Sequence, residues 1–266
     1  MLVRSWRNLL LIALGAATCA FAQPPPGFRL DELTWPELKA RIDGGTTTIL
    51  VPIGGTEQNG AHMALGKHNA RAMLLAERIA KALGNALVAP VIAYVPEGSV
   101  DPPSAHMRFP GTISVPTGAF EATLEGAARS FRRAGFHDIV FLGDHGGYLA
   151  SLNAVATRLD REWAATNVRV LVPAAYYRAA DRSFAAMLAA RGYRADEIGT
   201  HAGLADTSLT LALAPELVRV DRMRAPPSPA QGVYGDPRRS SAALGEIGAD
   251  AIVAETVAAI RKATAR

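Results

Sequence analysis

Short apolar runs alternate with longer amphipathic segments along almost the whole of this sequence. This alternation constrains the fold most, because strands that alternate with helices form a mostly parallel sheet in one layered α/β domain. Apolar, β-branched runs predict strands at about residues 47–53, 87–95, 138–142 and 168–174. Helical spacing of apolar residues predicts helices at about residues 31–42, 69–83, 119–134, 148–165, 179–190, 207–213 and 242–264.

The first 22 residues have the pattern of a secretion signal. Arg4 and Arg7 precede a short apolar segment, and Ala20-Phe21-Ala22 matches an A-x-A cleavage site. A lipoprotein signal that uses Cys19 is the alternative. We expect residues 1–22 to be removed and residues 23–266 to form a single domain that is exported, to the periplasm or the medium, without a membrane anchor.

Charge and cysteine content narrow the classes of function. The leader holds two of the 28 basic residues and none of the 24 acidic ones, so the net charge falls from +4 to +2 in the mature chain. Without a basic cluster, nucleic acid is not an expected partner. The single cysteine lies in the leader, which excludes disulfides and thiol catalysis from the mature chain. The sequence also lacks G-x-S-x-G, G-x-x-x-x-G-K-[ST] and G-x-G-x-x-G motifs.

Polar side chains follow several of the predicted strands and helices. One loop, after residues 48–53, carries four metal-binding candidates: Glu57, Asn59, His62 and His68. A second loop holds Asp144 and His145, and a third holds His201 and Asp206. The carboxyl ends of parallel strands are where ligands bind in open α/β sheets. Imidazole and carboxylate donors gathered there suit a divalent metal, with zinc expected first and manganese as the alternative.

Each of these residues also has a purely structural interpretation. Asp206 precedes Thr-Ser and a helical run, so it could cap that helix. His62 could bond only within its own turn, and Asp144 could orient a ligating histidine. His106 lies in a long loop, residues 96–114, which either shapes a substrate pocket or is ordered by this histidine.

The loop motifs resemble those of the creatininase (creatinine amidohydrolase) family. That family reads approximately E-Q-H-G-x-H-L-P-x-x-T-D, F-P-G-T-I-S, N-G-H-G-G-N and H-A-G-x-x-E-T-S. The corresponding segments here are residues 57–68, 109–114, 143–148 and 201–208, in the same order. The resemblance implies a three-layer α/β/α fold with a metal centre at the strand ends. It also implies hydrolysis of C–N bonds in cyclic or linear amides, a small-molecule substrate and a homo-oligomer.

Several positions depart from the family motifs. Asn59 stands where the family has histidine, His68 where it has a bridging aspartate, and Asp206 where it has glutamate. Gly147 replaces the extra carboxylate of creatininase itself. A histidine is lost at one position and gained at another, so the motifs imply a single-metal site of two carboxylates and two imidazoles: Glu57, His68, His145 and Asp206.

These motifs together predict a metal-dependent amidohydrolase. A bound metal would activate both the substrate carbonyl and a water molecule. The resemblance assigns His201 as the proton donor to the leaving nitrogen, while Asn59, His62, His106 and Asp144 line the pocket or support the ligands. Creatininase activity itself is not expected, because the extra carboxylate is missing. Two alternatives stay open: an exported metal- or ligand-binding protein without turnover, and a scaffold that uses the family interface only for assembly.

Overall fold

A parallel four-stranded sheet forms the centre of the structure, a computed structural model that describes residues 27–265. Its strands lie in the order β2-β1-β3-β4 and are β1 (Thr48–Ile53), β2 (Ala86–Val88), β3 (Asp138–Gly143) and β4 (Arg169–Leu171). All three neighbouring pairs run parallel. The predicted α/β class with a parallel sheet is therefore confirmed. The predicted leader lies outside the described residues.

Helices connect the strands and cover the sheet. In chain order they are α1 (Trp35–Asp43), α2 (Lys67–Leu83), α3 (Thr117–Ala134), α4 (Leu149–Glu162), α5 (Ala174–Arg178), α6 (Phe184–Ala189), α7 (Ala195–Ile198), α8 (Leu204–Leu213), α9 (Val220–Met223) and α10 (Ala242–Thr264). A π-helical turn, Ala179–Ser183, joins α5 to α6. Within residues 27–265 no helix combines the length and the apolar character needed to cross a membrane.

Two apolar cores lie on opposite faces of the sheet. On β1, Leu50 packs with α2, α6 and α10, whereas Ile49 and Val51 pack with α3 and α4. Successive side chains of a strand point to opposite faces, so a strand buried on both faces reads as a continuous apolar run. Helices on both faces give the predicted three-layer α/β/α arrangement.

Two predicted strands are shorter than the sequence indicated. The apolar run at 87–95 forms a strand only as far as Val88, because Pro90 cannot donate to the ladder. Beyond it, Ile92 makes one isolated bridge to Ile53. The run at 168–174 forms a strand only over Arg169–Leu171, since Pro173 precedes the first residue of α5.

Two of the helices that begin earlier than predicted carry candidate residues, and the earlier start changes the setting of both. The helix α2 starts at Lys67, so His68 lies in its buried first turn and not in a loop. The helix α8 starts at Leu204, with Gly203 as its N-cap. The capping interpretation of Asp206 was therefore wrong, because this residue lies inside the first turn of α8.

The register of the central strands brings the polar loops together. Ile53 of β1 pairs with Gly143 of β3, so both strands end at the same edge of the sheet. The loop that carries Glu57 therefore lies beside the loop that carries His145, as predicted.

Candidate metal and hydrolytic site

The side chain of Glu57 is fully buried at the centre of four histidines. One carboxylate oxygen, Oε1, lies 2.8 Å from His68 Nε2 and 3.6 Å from His201 Nδ1. The other, Oε2, lies 3.3 Å from His106 Nε2 and 3.7 Å from His145 Nε2. The structure thus places four of the predicted site residues around the carboxylate of a fifth, Glu57.

Asn59 and His62 stabilise the loop around Glu57 without reaching this group. The Asn59 amide donates to Glu57 O at 2.9 Å and to Ala64 O at 3.0 Å. His62 lies 3.0 Å from Thr207 Oγ1, which ties the loop to α8. Both side chains have the structural role that the sequence left open for His62.

Gln58, which the sequence analysis did not single out, holds two of the histidines. Its amide orientation is fixed because Oε1 accepts from Gly60 N at 2.9 Å, so Nε2 donates to His106 Nδ1 at 2.8 Å. The backbone carbonyl oxygen of Gln58 accepts from His201 Nε2 at 2.9 Å. These bonds favour the tautomer of His106 with its proton on Nε2, toward Glu57, and the tautomer of His201 with an unprotonated Nδ1 facing Glu57.

Backbone strain adjoins the same two histidines. Ala105 and Ala202 have φ values of 46° and 54°, and no other non-glycine residue in the described part of the chain has a positive φ. Such conformations cost on the order of 1–3 kcal/mol each and persist at sites where the surrounding structure fixes them. Here they set the directions from which His106 and His201 enter the site.

A buried ion-pair network borders the site along α2. Asp144 Oδ2 lies 2.5 Å from His68 Nδ1 and accepts from Arg71 Nη2 at 2.9 Å. Asp206 contacts Lys67 Nζ through one oxygen and Arg71 Nη1 through the other. Burial alone would raise the pKa of Asp206, but the charges of Lys67 and Arg71 hold that pKa well below its ordinary value.

Glu97 is the acidic residue that the sequence analysis missed. Its side chain is fully buried, and neither of its carboxylate oxygens has a hydrogen-bond partner among the described residues. Burial, reinforced by the negative charge of Glu57, raises the pKa of Glu97 to about 8. The signal was its position at the start of the long loop, directly after an apolar run, which is where Glu57 also stands relative to β1.

The absence of a side chain at Gly55 makes room for Glu97. Gly55 has a φ of 149°, and a Cβ atom there would lie 2.5 Å from Glu97 Oε1. The Glu97 carboxylate also lies 3.6 Å from His145 Nδ1. The turn after β1 therefore leaves space for a second carboxylate beside His145.

In the described residues, two groups have ligand atoms within 4.8 Å of one another and could hold a metal ion. One is Glu57, Glu97 and His145; the other is Glu57, His106 and His201. In the first group, three buried carboxylate oxygens lack hydrogen-bond partners: Glu57 Oε2 and both oxygens of Glu97. Buried carboxylates are normally paired or bind a metal, so this group is the better candidate.

The four ligands expected from the motifs are neighbours, but they differ in what their atoms contact. Glu57 and His145 belong to the candidate group above. Both ring nitrogens of His68 lie against carboxylates, and both oxygens of Asp206 contact cationic side chains. The expected four-residue set stays a prediction.

Burial keeps two of the histidines neutral. It lowers the pKa of His145 to about 4 and that of His201 to about 3. A neutral imidazole can bind a metal or accept a proton, which an imidazolium cannot do.

A cleft of about 450 Å³ opens onto these residues. Charged side chains, including Lys67 and Asp144, form part of its lining. Other lining residues are aromatic or apolar: Tyr177, Phe184, Leu209 and Tyr234. This volume and mixed lining suit a small molecule that carries a polar group.

Known proteins resemble this chain over most of its length. A family model described as "Creatininase, creatinine amidohydrolase" matches residues 31–260. Creatinine amidohydrolase from Pseudomonas putida is 30% identical over 197 residues, which are 72% of this chain and 74% of that protein. A mycofactocin precursor peptide peptidase from Mycolicibacterium smegmatis is 29% identical over 226 residues, covering 74% and 78%.

Solved structures of creatininase have the same fold. One described as "Creatininase Mn" has a TM-score of 0.73 and 27% identity, and it covers 91% of this chain and 100% of the other. A mutant creatininase described as "Zn-Zn type" has a TM-score of 0.72 and 26% identity, and it covers the same fractions of the two chains.

Proposed function

This chain belongs to the creatininase family of hydrolases, and we propose that it uses one divalent metal ion to cleave a C–N bond, in an amide or a lactam, of a small molecule. The observation that carries this proposal is the group of three buried, unpartnered carboxylate oxygens on Glu57 and Glu97 beside His145. Zinc and manganese both suit two carboxylates and one imidazole.

Glu97 supplies a carboxylate to the site that the motifs do not predict. The carboxylate that creatininase has at the position of Gly147 is missing here, but Glu97 brings one to His145 from a different loop. An ionised Glu97 without a cation is unfavourable, as its raised pKa indicates. Glu57, Glu97 and His145 would hold the ion, whose contribution is Lewis-acid activation of the carbonyl and of water.

His201 is placed to move a proton. Its Nε2–H is held by Gln58 O, so the lone pair of Nδ1 faces Glu57 at 3.6 Å. Because burial lowers its pKa to about 3, His201 is neutral at pH 7. It therefore has to accept a proton from the attacking water before it can donate one to the leaving nitrogen. In this order of proton transfers, His201 keeps its proposed role as donor, and the attacking water is the source of the proton that it donates.

The substrate class follows from the cleft and from the relatives. A space of about 450 Å³ with aromatic walls accommodates a small cyclic or linear amide. The relatives are named as an amidohydrolase of creatinine and as a peptidase, and both names denote hydrolysis at amide-type C–N bonds. These observations support the bond type and leave the individual substrate to experiment.

The test is an assay of residues 23–266 after removal of metal by EDTA and reconstitution with zinc or manganese. The panel contains creatinine, other lactams, linear amides and short peptides. We expect cleavage of at least one member, only after metal is returned. Glu97→Gln should lose both metal and turnover, while the exposed control Glu216→Gln should keep both. No cleavage of any panel member by the metal-loaded protein would contradict the proposal.

A further inference from the structure

We propose that Lys67 is a built-in cation that takes the place of a second metal ion, so that the site holds a single divalent metal. The inference rests on the proposed metal site of Glu57, Glu97 and His145. It concerns the opposite side of Glu57, toward α2 and α8, where the ion-pair network lies.

The position of Lys67 is unusual for a lysine. It is the first residue of α2, and its side chain is only 1% exposed. Its Nζ contacts Asp206 and lies 3.8 Å from Glu57 Oε1. The ammonium group thus lies between two carboxylates that the motifs assign to metal binding. Lysine is almost never fully buried unless it is paired, and here both partners are acidic.

The atoms on this side of Glu57 are already engaged. Arg71 contacts the second oxygen of Asp206, and His68 has one nitrogen against Glu57 and the other against Asp144. A metal ion could bind Asp206 only by displacing Lys67 or Arg71. The contrast with Glu57 Oε2 and with Glu97, which have no hydrogen-bond partners, separates a closed side of the site from an open one.

The balance of charge favours one divalent ion. Four carboxylates surround the site, together with two permanently positive side chains and His68, whose ring nitrogens both lie against carboxylates. The excess is therefore at most two negative charges when all four carboxylates are ionised: Glu57, Glu97, Asp144 and Asp206 against Lys67 and Arg71. One divalent ion is enough to neutralise that excess. A second would leave at least two uncompensated positive charges in a buried region, which is strongly unfavourable.

The residues that differ from the family motif change the charge of the site in the way that this inference requires. Where the family motif ends in T-D, this chain has Lys67 and His68. One anion has been removed and one cation added, next to a carboxylate that both versions keep, Glu57. One related creatininase structure is described as "Zn-Zn type", whereas in this chain a lysine ammonium lies 3.8 Å from the central carboxylate.

The test compares metal stoichiometry in Lys67→Ala and in the wild type, measured by mass spectrometry of metals after dialysis against zinc. We expect the variant to bind one more zinc ion per chain than the wild type. Lys67→Arg, which keeps the charge, and Lys81→Ala, on an exposed position of the same helix, should match the wild type. Equal stoichiometry in Lys67→Ala and the wild type would overturn the inference.

A second variant keeps the test decisive if Lys67→Ala does not fold. The double variant Lys67→Thr with His68→Asp restores the family residues. It removes the ammonium group and adds a carboxylate, so it should also gain one zinc ion. No gain in the folded double variant would overturn the inference. The wild-type value tests the proposed function separately, since a wild type without bound zinc contradicts the metal site itself.

Discussion

At the scale of single residues, the two oxygens of Glu57 have different surroundings. Oε1 faces His68 and the ammonium of Lys67, whereas Oε2 has no hydrogen-bond partner. Glu97 and His145 lie on the side of Oε2. In the proposed site, this asymmetry divides one carboxylate between an internal ion pair and a metal position, so that one ion would be enough despite the many acidic groups.

The pH dependence of stability tests the burial of Glu97. Its pKa in the folded protein is about 8, above the ordinary 4.5, so the folded state binds a proton that the unfolded state has lost. Its stabilising contribution is therefore complete below pH 4.5 and is lost as the pH rises toward 8. In the metal-free protein we expect Glu97 to lower stability by about 1.4 kcal/mol per pH unit in this window. Urea unfolding between pH 5 and 8 should show a shallower decline for Glu97→Gln than for the wild type; parallel curves would refute the assignment.

The role of His201 makes a second prediction at this scale. His201→Ala should reduce turnover by on the order of 10²–10⁴-fold, because the proton of the attacking water loses its acceptor. Metal content should not change, since His201 is not among the proposed ligands. His137→Ala, outside the site at the start of β3, serves as the control. If His201→Ala loses its metal, the histidine is a ligand and the proton-transfer role fails.

At the scale of elements, the turn after β1 decides whether a second carboxylate fits. A Cβ at Gly55 would lie 2.5 Å from Glu97 Oε1, whereas a Cβ at Gly45, which also has a positive φ, would meet nothing within 4 Å. Both glycines have a φ that L residues rarely adopt, so Gly55→Ala and Gly45→Ala each introduce backbone strain on the order of 1–3 kcal/mol. Only Gly55→Ala should displace Glu97.

Zinc affinity distinguishes these two variants. We expect Gly55→Ala to bind zinc about 10–100-fold more weakly, the range found when a group that positions a ligand is disturbed. Gly45→Ala should bind like the wild type despite a similar loss of stability. Isothermal titration of both metal-free variants provides the comparison. Equal affinities would mean that Glu97 does not depend on this turn.

The elements show which features the sequence could predict. Apolar runs placed the two central strands within a residue or two, because a strand buried on both faces has few alternatives. The ends of elements were less predictable: Pro90 ended one strand early, and Lys67 begins a helix without an N-capping side chain. Glu97 was missed because it belongs to no motif, and its position after an apolar run was the one signal that the sequence offered.

At the scale of the whole molecule, the site is assembled from separate segments at one edge of the sheet. The parallel register of β1 and β3 brings Glu57 to His145, and α8 carries Asp206 to the first turn of α2. The alternation of strands and helices predicted that the loops of Glu57 and His145 would meet. The sequence could not predict which donors face a metal and which face each other. That depends on small differences in the positions of side chains that come from distant parts of the chain.

Export is a prediction about the intact chain. Mass spectrometry of protein purified from its native host should find an N-terminus at Gln23, because the basic segment, apolar segment and A-x-A site form a signal. Light scattering of the same sample tests the expected homo-oligomer. An intact Met1 would contradict export, and a mass equal to one chain would contradict assembly.

Anomalous diffraction at the zinc edge, from a crystal of the zinc-loaded wild type, tests the central claim most directly. We predict one anomalous peak per chain, about 2.0–2.2 Å from Glu57 Oε2, a Glu97 oxygen and a His145 nitrogen, with Lys67 still against Asp206. A peak bound by His68 and Asp206, or two peaks per chain, would contradict the account.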